Sequence, residues 1–110
     1  MSAGKYNITM DQGSDFTLQL TVKESGVAKN LSGYSARGQI RTSASAENAS
    51  ASFVCTITNA TGGTLTIALS ATTTGGLSAG QYVYDVEIFT GSTVQKLIQG
   101  NVRVNAEITK

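Results

Sequence analysis

Apolar and polar residues alternate along most of this chain with a period of two. Phe16, Leu18, Leu20 and Val22 interleave with Thr17, Gln19, Thr21 and Lys23. In an extended strand, that pattern sends one set of side chains to each face. A helix would scatter the same residues around its circumference. The alternation returns at Tyr6-Ile8-Met10, Tyr34-Ala36-Gly38-Ile40, Phe53-Cys55-Ile57 and Leu65-Ile67-Leu69. It appears again at Tyr82-Tyr84-Val86-Ile88 and Val102-Val104-Ala106-Ile108. A further apolar cluster, Val94 with Leu97 and Ile98, precedes Gly100, which reads as a bulge or bend between two halves of one long last strand.

Turn chemistry separates these segments. Gln12-Gly13-Ser14, Glu24-Ser25-Gly26, Thr61-Gly62-Gly63 and Thr90-Gly91-Ser92 each fall between two alternating runs, and the last reads as a tight hairpin. Two connections are longer. Ser43 to Ser50 is a polar Ala/Ser loop, and Ser70 to Gly80 has room for one helical turn. Periodic strands resume after both, so the chain reads as a single domain over residues 1–110.

Short strands with turn signals at this spacing predict an all-β fold. The expected form is an antiparallel, immunoglobulin-like β-sandwich of seven to eight strands. Gly80-Gln81-Tyr82, ahead of a long strand, has the look of a tyrosine corner, in which a tyrosine hydroxyl bonds back to the preceding loop. The disulfide and Trp of antibody domains are missing.

Composition narrows the function. There are 15 Thr, 12 Ser and 12 Gly among 110 residues, one Cys, and no Pro, Trp or His. Without His, neither a Ser-His-Asp triad nor a Cys-His dyad can form within the chain, and the common zinc sets are excluded. One Cys cannot make an internal disulfide. A formal net charge of +1, with 14% charged residues, excludes electrostatic nucleic-acid binding. No apolar run approaches the ~18 residues needed to span a bilayer, and Met1 to Asn7 carries no apolar signal region, so the expectation is synthesis in a cytoplasm.

The remaining candidates for chemistry have plain structural readings. Asp11 and Asp15 flank Gly13, but a calcium loop needs more oxygen ligands and a late bidentate Glu, so a β-turn is expected and no metal site. Asp85 and Glu87 lie on one side of a strand, without the cleft that a glycosidase pair needs. Lys96, across the Gly91 hairpin, offers either of them a solvated ion pair. Cys55 alternates with Phe53 and Ile57 and reads as a small buried hydrophobe. Sequons occur at Asn7, Asn30, Asn48 and Asn59, as expected by chance in so Ser/Thr-rich a chain. No catalytic residue and no cofactor are expected.

Two surfaces are candidate docking sites. Arg37, Gln39 and Arg41 share an outward face, basic in character, for a partner or a phosphate. Asn101, Arg103, Asn105, Glu107 and Thr109 belong to the last alternating run, which reads as an end strand with an open edge able to join a neighbour's sheet.

The order of motifs is familiar. Ile8-Thr9-Met10-Asp11-Gln12-Gly13-Ser14-Asp15-Phe16 opens the series, followed by Asn30-Leu31-Ser32-Gly33-Tyr34-Ser35-Ala36 leading into Gln39-Ile40-Arg41. Then come Gly63-Thr64-Leu65-Thr66-Ile67, the Gly-x-Tyr-x-Tyr-Asp-Val-Glu-Ile segment within Leu77 to Ile88, and Leu97-Ile98-Gln99-Gly100-Asn101-Val102-Arg103-Val104. Across nearly its whole length the chain resembles a group of small virion proteins of tailed bacteriophages, including phages of cyanobacteria. It is similar in pattern to the N-terminal domain of the siphophage baseplate upper protein. The resemblance implies an immunoglobulin-like sandwich without catalytic activity that links tail or baseplate to receptor-binding parts. The chain lacks the long coiled-coil extension of that family, which leaves attachment or decoration as the implied role.

The expectation is therefore a non-enzymatic virion structural protein that docks at the tail or baseplate. It would be made in the host cytoplasm and held in multiple copies in a symmetric assembly by other virion proteins, with no nucleic acid or membrane as partner. The alternatives are a capsid-decorating head protein and a carbohydrate-binding adhesin module. The adhesin reading needs an exposed aromatic, for which Phe89 is the candidate.

Overall fold

The computed structural model describes residues 4–24, 26–43, 45–46 and 49–108. The strands are β1 (Gly4–Lys5), β2 (Ile8–Asp11), β3 (Phe16–Thr21), β4 (Lys23–Glu24), β5 (Val27–Ala28), β6 (Ser35–Arg41), β7 (Ala51–Asn59), β8 (Thr64–Leu69), β9 (Gly80–Thr90) and β10 (Thr93–Asn105). One short helix, α1 (Ala71–Gly75), occupies the longer loop, as its sequence allows. Ser70 caps it, its side-chain oxygen accepting from the Thr73 N–H. Asp15 does the same for the Ala71 N–H at 2.8 Å, so the helix is held from across the fold.

Hydrogen bonding links the strands in the order β1-β10-β9-β6-β7-β8-β3, with β2 alongside β10 beyond β1. β7 makes the sheet curl. Its first residues, Ala51 to Phe53, pair with β6, and from Val54 onward it pairs with β8. The apolar face turns inward and encloses one core, in which Ile40, Leu65, Ile67, Val86, Ile88 and Val102 are wholly buried. Removing each such side chain from water contributes about 1.5–3 kcal/mol.

The all-β expectation holds, but the pairing is not purely antiparallel. β1 and β2 both run parallel to β10, with Ile8 beside Val102 and Met10 beside Val104. Alternation is the same in parallel and antiparallel strands, so the pattern carries no direction. The strands are also more numerous than expected, because a two-residue strand, β1, precedes the first apolar run and a short hairpin, β4-β5, follows β3.

The parallel pairing corrects a second expectation. The last strand is not an edge: β9 flanks it on one side, and β1 and β2 on the other. Asn101, Arg103 and Asn105 lie on this doubly paired strand, Glu107 follows its end, and Thr109 is outside the described residues. No open ladder is left there for another chain. Among the described residues, the strands of the main sheet paired on one side only are β3, β1 and β2, while β4 and β5 pair only with each other.

Gly100 is not a bulge. The register shift in β10 falls between Lys96 and Ile98. At Gly100 the backbone of Tyr6 crosses so closely that an added Cβ would lie 2.2 Å from the Tyr6 carbonyl oxygen. The Tyr84 hydroxyl donates to that same oxygen at 2.6 Å. Asn7 Oδ1 accepts from the Asn101 N–H at 3.1 Å. The crossing between β1 and β2 is thus pinned from below and from the side.

Candidate functional site

The outer face of β6, β9 and β10 carries the polar half of three alternating strands. Register lines their side chains up in rows. Arg37 lies opposite Glu87, Gln39 opposite Asp85, and Arg41 opposite Val83. On the far side of β9, Lys96 faces Glu87, Gln99 faces Asp85, and Asn101 faces Val83. Charges of opposite sign therefore alternate across the face, which favours each pair over its neighbours of like sign.

The ion pairs follow. Arg37 Nε contacts Glu87 Oε1. Lys96 stands opposite Glu87 in the ladder, yet its ammonium reaches Asp85 Oδ2 at 3.4 Å, because the register shifts just after it. With Glu87 taken by Arg37, Asp85 is the free carboxylate. These groups are in contact with water, so each pair contributes about 0.2–1 kcal/mol at most. Their role is to fix side-chain positions more than to stabilise the fold.

A groove of about 420 Å³ opens in this face. Gln39, Arg41, Asp85, Lys96, Gln99 and Asn101 line it, with Lys5 and Asn7 from the N-terminal segment. The guanidinium of Arg41 donates to Gln39 Oε1 at 2.8 Å and to the Ala46 carbonyl at 2.7 Å. One arginine thus ties the groove to the Ser43–Ser50 loop. Lys96 also donates to Gln99 Oε1 at 3.2 Å. The groove presents amides, ammonium groups and a carboxylate, a set suited to recognising polar protein surface. Among the described residues, no three His, Cys, Asp or Glu side chains gather as metal ligands would.

The structure sorts the candidates from the sequence. Gln39 and Arg41 are in the groove, joined by Asn101. Arg37 lies one row away and lays its guanidinium over the Phe89 ring, 4.5 Å from the centroid. That contact covers the aromatic face an adhesin would offer to a sugar. Arg103 and Asn105 bond to each other at 3.2 Å, and Asn105 donates on to Asp11 Oδ1 at 3.3 Å. The Glu107 N–H donates to Gln12 Oε1 at 3.1 Å, while Gln12 Nε2 donates to the Leu77 carbonyl at 2.9 Å. A single amide therefore holds three segments at this end of the molecule. Asp11 and Asp15 both accept structural hydrogen bonds from distant parts of the chain, Asp11 from Asn105 and Asp15 from the Ala71 N–H.

Lys5 and Asn7 escaped the sequence reading because they lie far from β10 along the chain. Asn7 had only its sequon to mark it. Lys96, Gln99 and Asp85 carried a usable signal: they occupy outward positions on the two strands of one hairpin. Of the other reactive groups, the half-buried Cys55 thiol is pushed up to about 11 by burial, which keeps it protonated and unreactive at neutral pH. Burial likewise raises the Tyr84 phenol to about 12.

No family model and no curated protein matches the chain. Among solved structures it is similar to the crystal structure of Listeria monocytogenes InlP, with a TM-score of 0.54 and 20% identity. The match covers 94% of this chain and 27% of that one, so the chain spans little more than a quarter of that protein. This is a likeness of fold.

Proposed function

We propose that this protein is a non-enzymatic structural component of a bacteriophage particle, docking at the tail or baseplate as an adaptor or attachment part. The observation that carries the reading is the outer face of β6, β9 and β10. There the ion pairs hold long polar side chains in place around a groove, with Arg41 joining it to a neighbouring loop. Such a face gives many directional contacts to a protein partner and little apolar area to collapse on. The order of sequence motifs supports the placement in a virion. In this reading the protein is made in the host cytoplasm and carried in multiple copies by other virion proteins.

The finer fold assignment belongs to the same proposal. The curled sheet divides naturally into two layers of an immunoglobulin-like sandwich. One holds β2, β10, β9, β6 and the start of β7; the other holds the rest of β7 with β8 and β3. The hydroxyl of Tyr82 supports this, since it closes the corner expected of such folds.

The test is to locate the protein in purified particles by immunogold electron microscopy and count copies by quantitative mass spectrometry. Label at the tail tip or neck in small symmetric numbers supports the docking role. Label spread over the head would replace it with decoration, and absence from particles would end both. Within the docking role, Arg41→Glu and Lys96→Glu should each reduce incorporation while the purified chain still folds, which circular dichroism checks.

A further inference from the structure

The outer edge of β3 is open and unguarded. Sheet edges are ordinarily blunted by charge, Pro, bulges or shortness. The other open side, along β1 and β2, has such guards: two short strands carrying Lys5 and Asp11. β3 has none. It reads Phe-Thr-Leu-Gln-Leu-Thr and keeps an unbroken register with β8 over its whole length. Its inward residues Phe16, Leu18 and Leu20 remain half-buried, whereas their partners Leu65, Ile67 and Leu69 on β8 are buried. An apolar depression of about 280 Å³ lies beside this edge, lined in part by Leu20, Val22, Leu97 and Ile98.

The backbone fixes which groups are free. Val22 donates its N–H to the Gly63 carbonyl and accepts at its own carbonyl from the Lys29 N–H. Both of its polar groups thus point to the β8 side. Alternation gives the even-numbered residues of β3 the same direction and turns the N–H and C=O of Thr17, Gln19 and Thr21 outward.

We propose that two copies of this chain pair through β3, antiparallel, about a two-fold axis at Gln19. In this register Gln19 meets Gln19 of the second copy and Thr17 meets Thr21, so every outward backbone group finds a partner. The same register sets Asp15 opposite Lys23, once on each side of the axis, and the inward row brings Leu18 against Leu20 and Phe16 against Val22. Shifting by two residues in either direction breaks both ion pairs. Charge complementarity and backbone parity thus select one arrangement, and the partner is a second copy because the edge is complementary to itself. The contact is one strand wide, smaller than a standard stable interface of ~1,200 Å², so a weak, concentration-dependent dimer is expected. The proposal does not depend on the virion reading.

Sedimentation equilibrium of the full chain, from micromolar to millimolar, tests it together with cysteine cross-linking in a Cys55→Ser background. Gln19→Cys should form a disulfide-linked dimer, because directly opposed residues of this type have Cα atoms about 5.5 Å apart. Thr17→Cys alone should not, since its symmetry mate lies about 13 Å along the strand, but it should link to Thr21→Cys when the two are mixed. Gln19→Lys, an exposed change that leaves the monomer's circular dichroism and melting intact, should abolish the dimer by setting like charges on the axis. Lys23→Glu should weaken it. A chain that stays monomeric throughout overturns the proposal. So does a dimer indifferent to Gln19→Lys, or a ladder of higher oligomers, which would mean head-to-tail edge pairing.

Discussion

The hydroxyl of Tyr82 donates to the carbonyl of Ser78 at 2.7 Å, closing the turn that launches β9. The ring itself is buried in the core. One residue therefore couples core packing to the path of the preceding loop. Tyr82→Phe keeps the packing and deletes the bond, and should cost about 1 kcal/mol in urea unfolding. An unchanged midpoint would show that water replaces the phenol there.

Gly100→Ala is expected to be far more damaging than its size suggests. The new methyl would sit on the Tyr6 carbonyl, so the β1–β2 crossing must lift away. The Tyr84 and Asn101 bonds to that crossing would be lost with it. A destabilisation of about 2–4 kcal/mol is expected. Amide exchange should quicken first at β2 and at Asn101, with β3 and β8 less affected.

Alkaline pH should weaken the fold in a defined window. Cys55 is raised from 9.0 to about 11 and Tyr84 from 10.0 to about 12. Well below pH 9 both groups are protonated in the folded and unfolded chain, and their contribution is fully present. As pH rises, the unfolded chain loses these protons first, so stability falls until the folded groups also ionise. Thermal melts across this range should show the decline, and Cys55→Ala should remove its lower part.

The exposed ion pairs should count for little beside the core. A double-mutant cycle on Arg37→Ala and Glu87→Gln is expected to give a coupling below about 1 kcal/mol that shrinks with salt. Ile67→Ala, at a wholly buried position, should cost about 2–5 kcal/mol. The pairs order the surface; the alternating apolar rows hold the molecule together.

Much of this was legible in the sequence. Period-two runs located β3, β8 and β9, the turn signals marked the connections, and the spacing before Tyr82 announced its bond to the loop. The course of the first and last strands was not legible. Ile8 and Val102 show the same alternation whichever way they run, and a contact between Asn7 and Asn101 spans 94 positions with no local trace. The open edge expected of Asn101 to Thr109 failed over Asn101 to Asn105 for that reason. The groove was half visible: Gln39 and Arg41 stood out by parity, whereas Lys5 and Asn7 reach it only through the fold. Which carboxylate Lys96 would choose depended on a register shift that no residue type announces.

The parallel pairing of the N-terminal segment with β10 also has a mechanical meaning. Gly4 lies beside Ile98, while Asn105, at the other end of β10, lies beside Asp11. Tension applied through these two ends runs along the ladder between them. A hairpin pulled at its open end unzips one bond at a time; here the rungs must slide past one another together. The molecule is built to resist stretching along this line and to yield more readily to a pull across it.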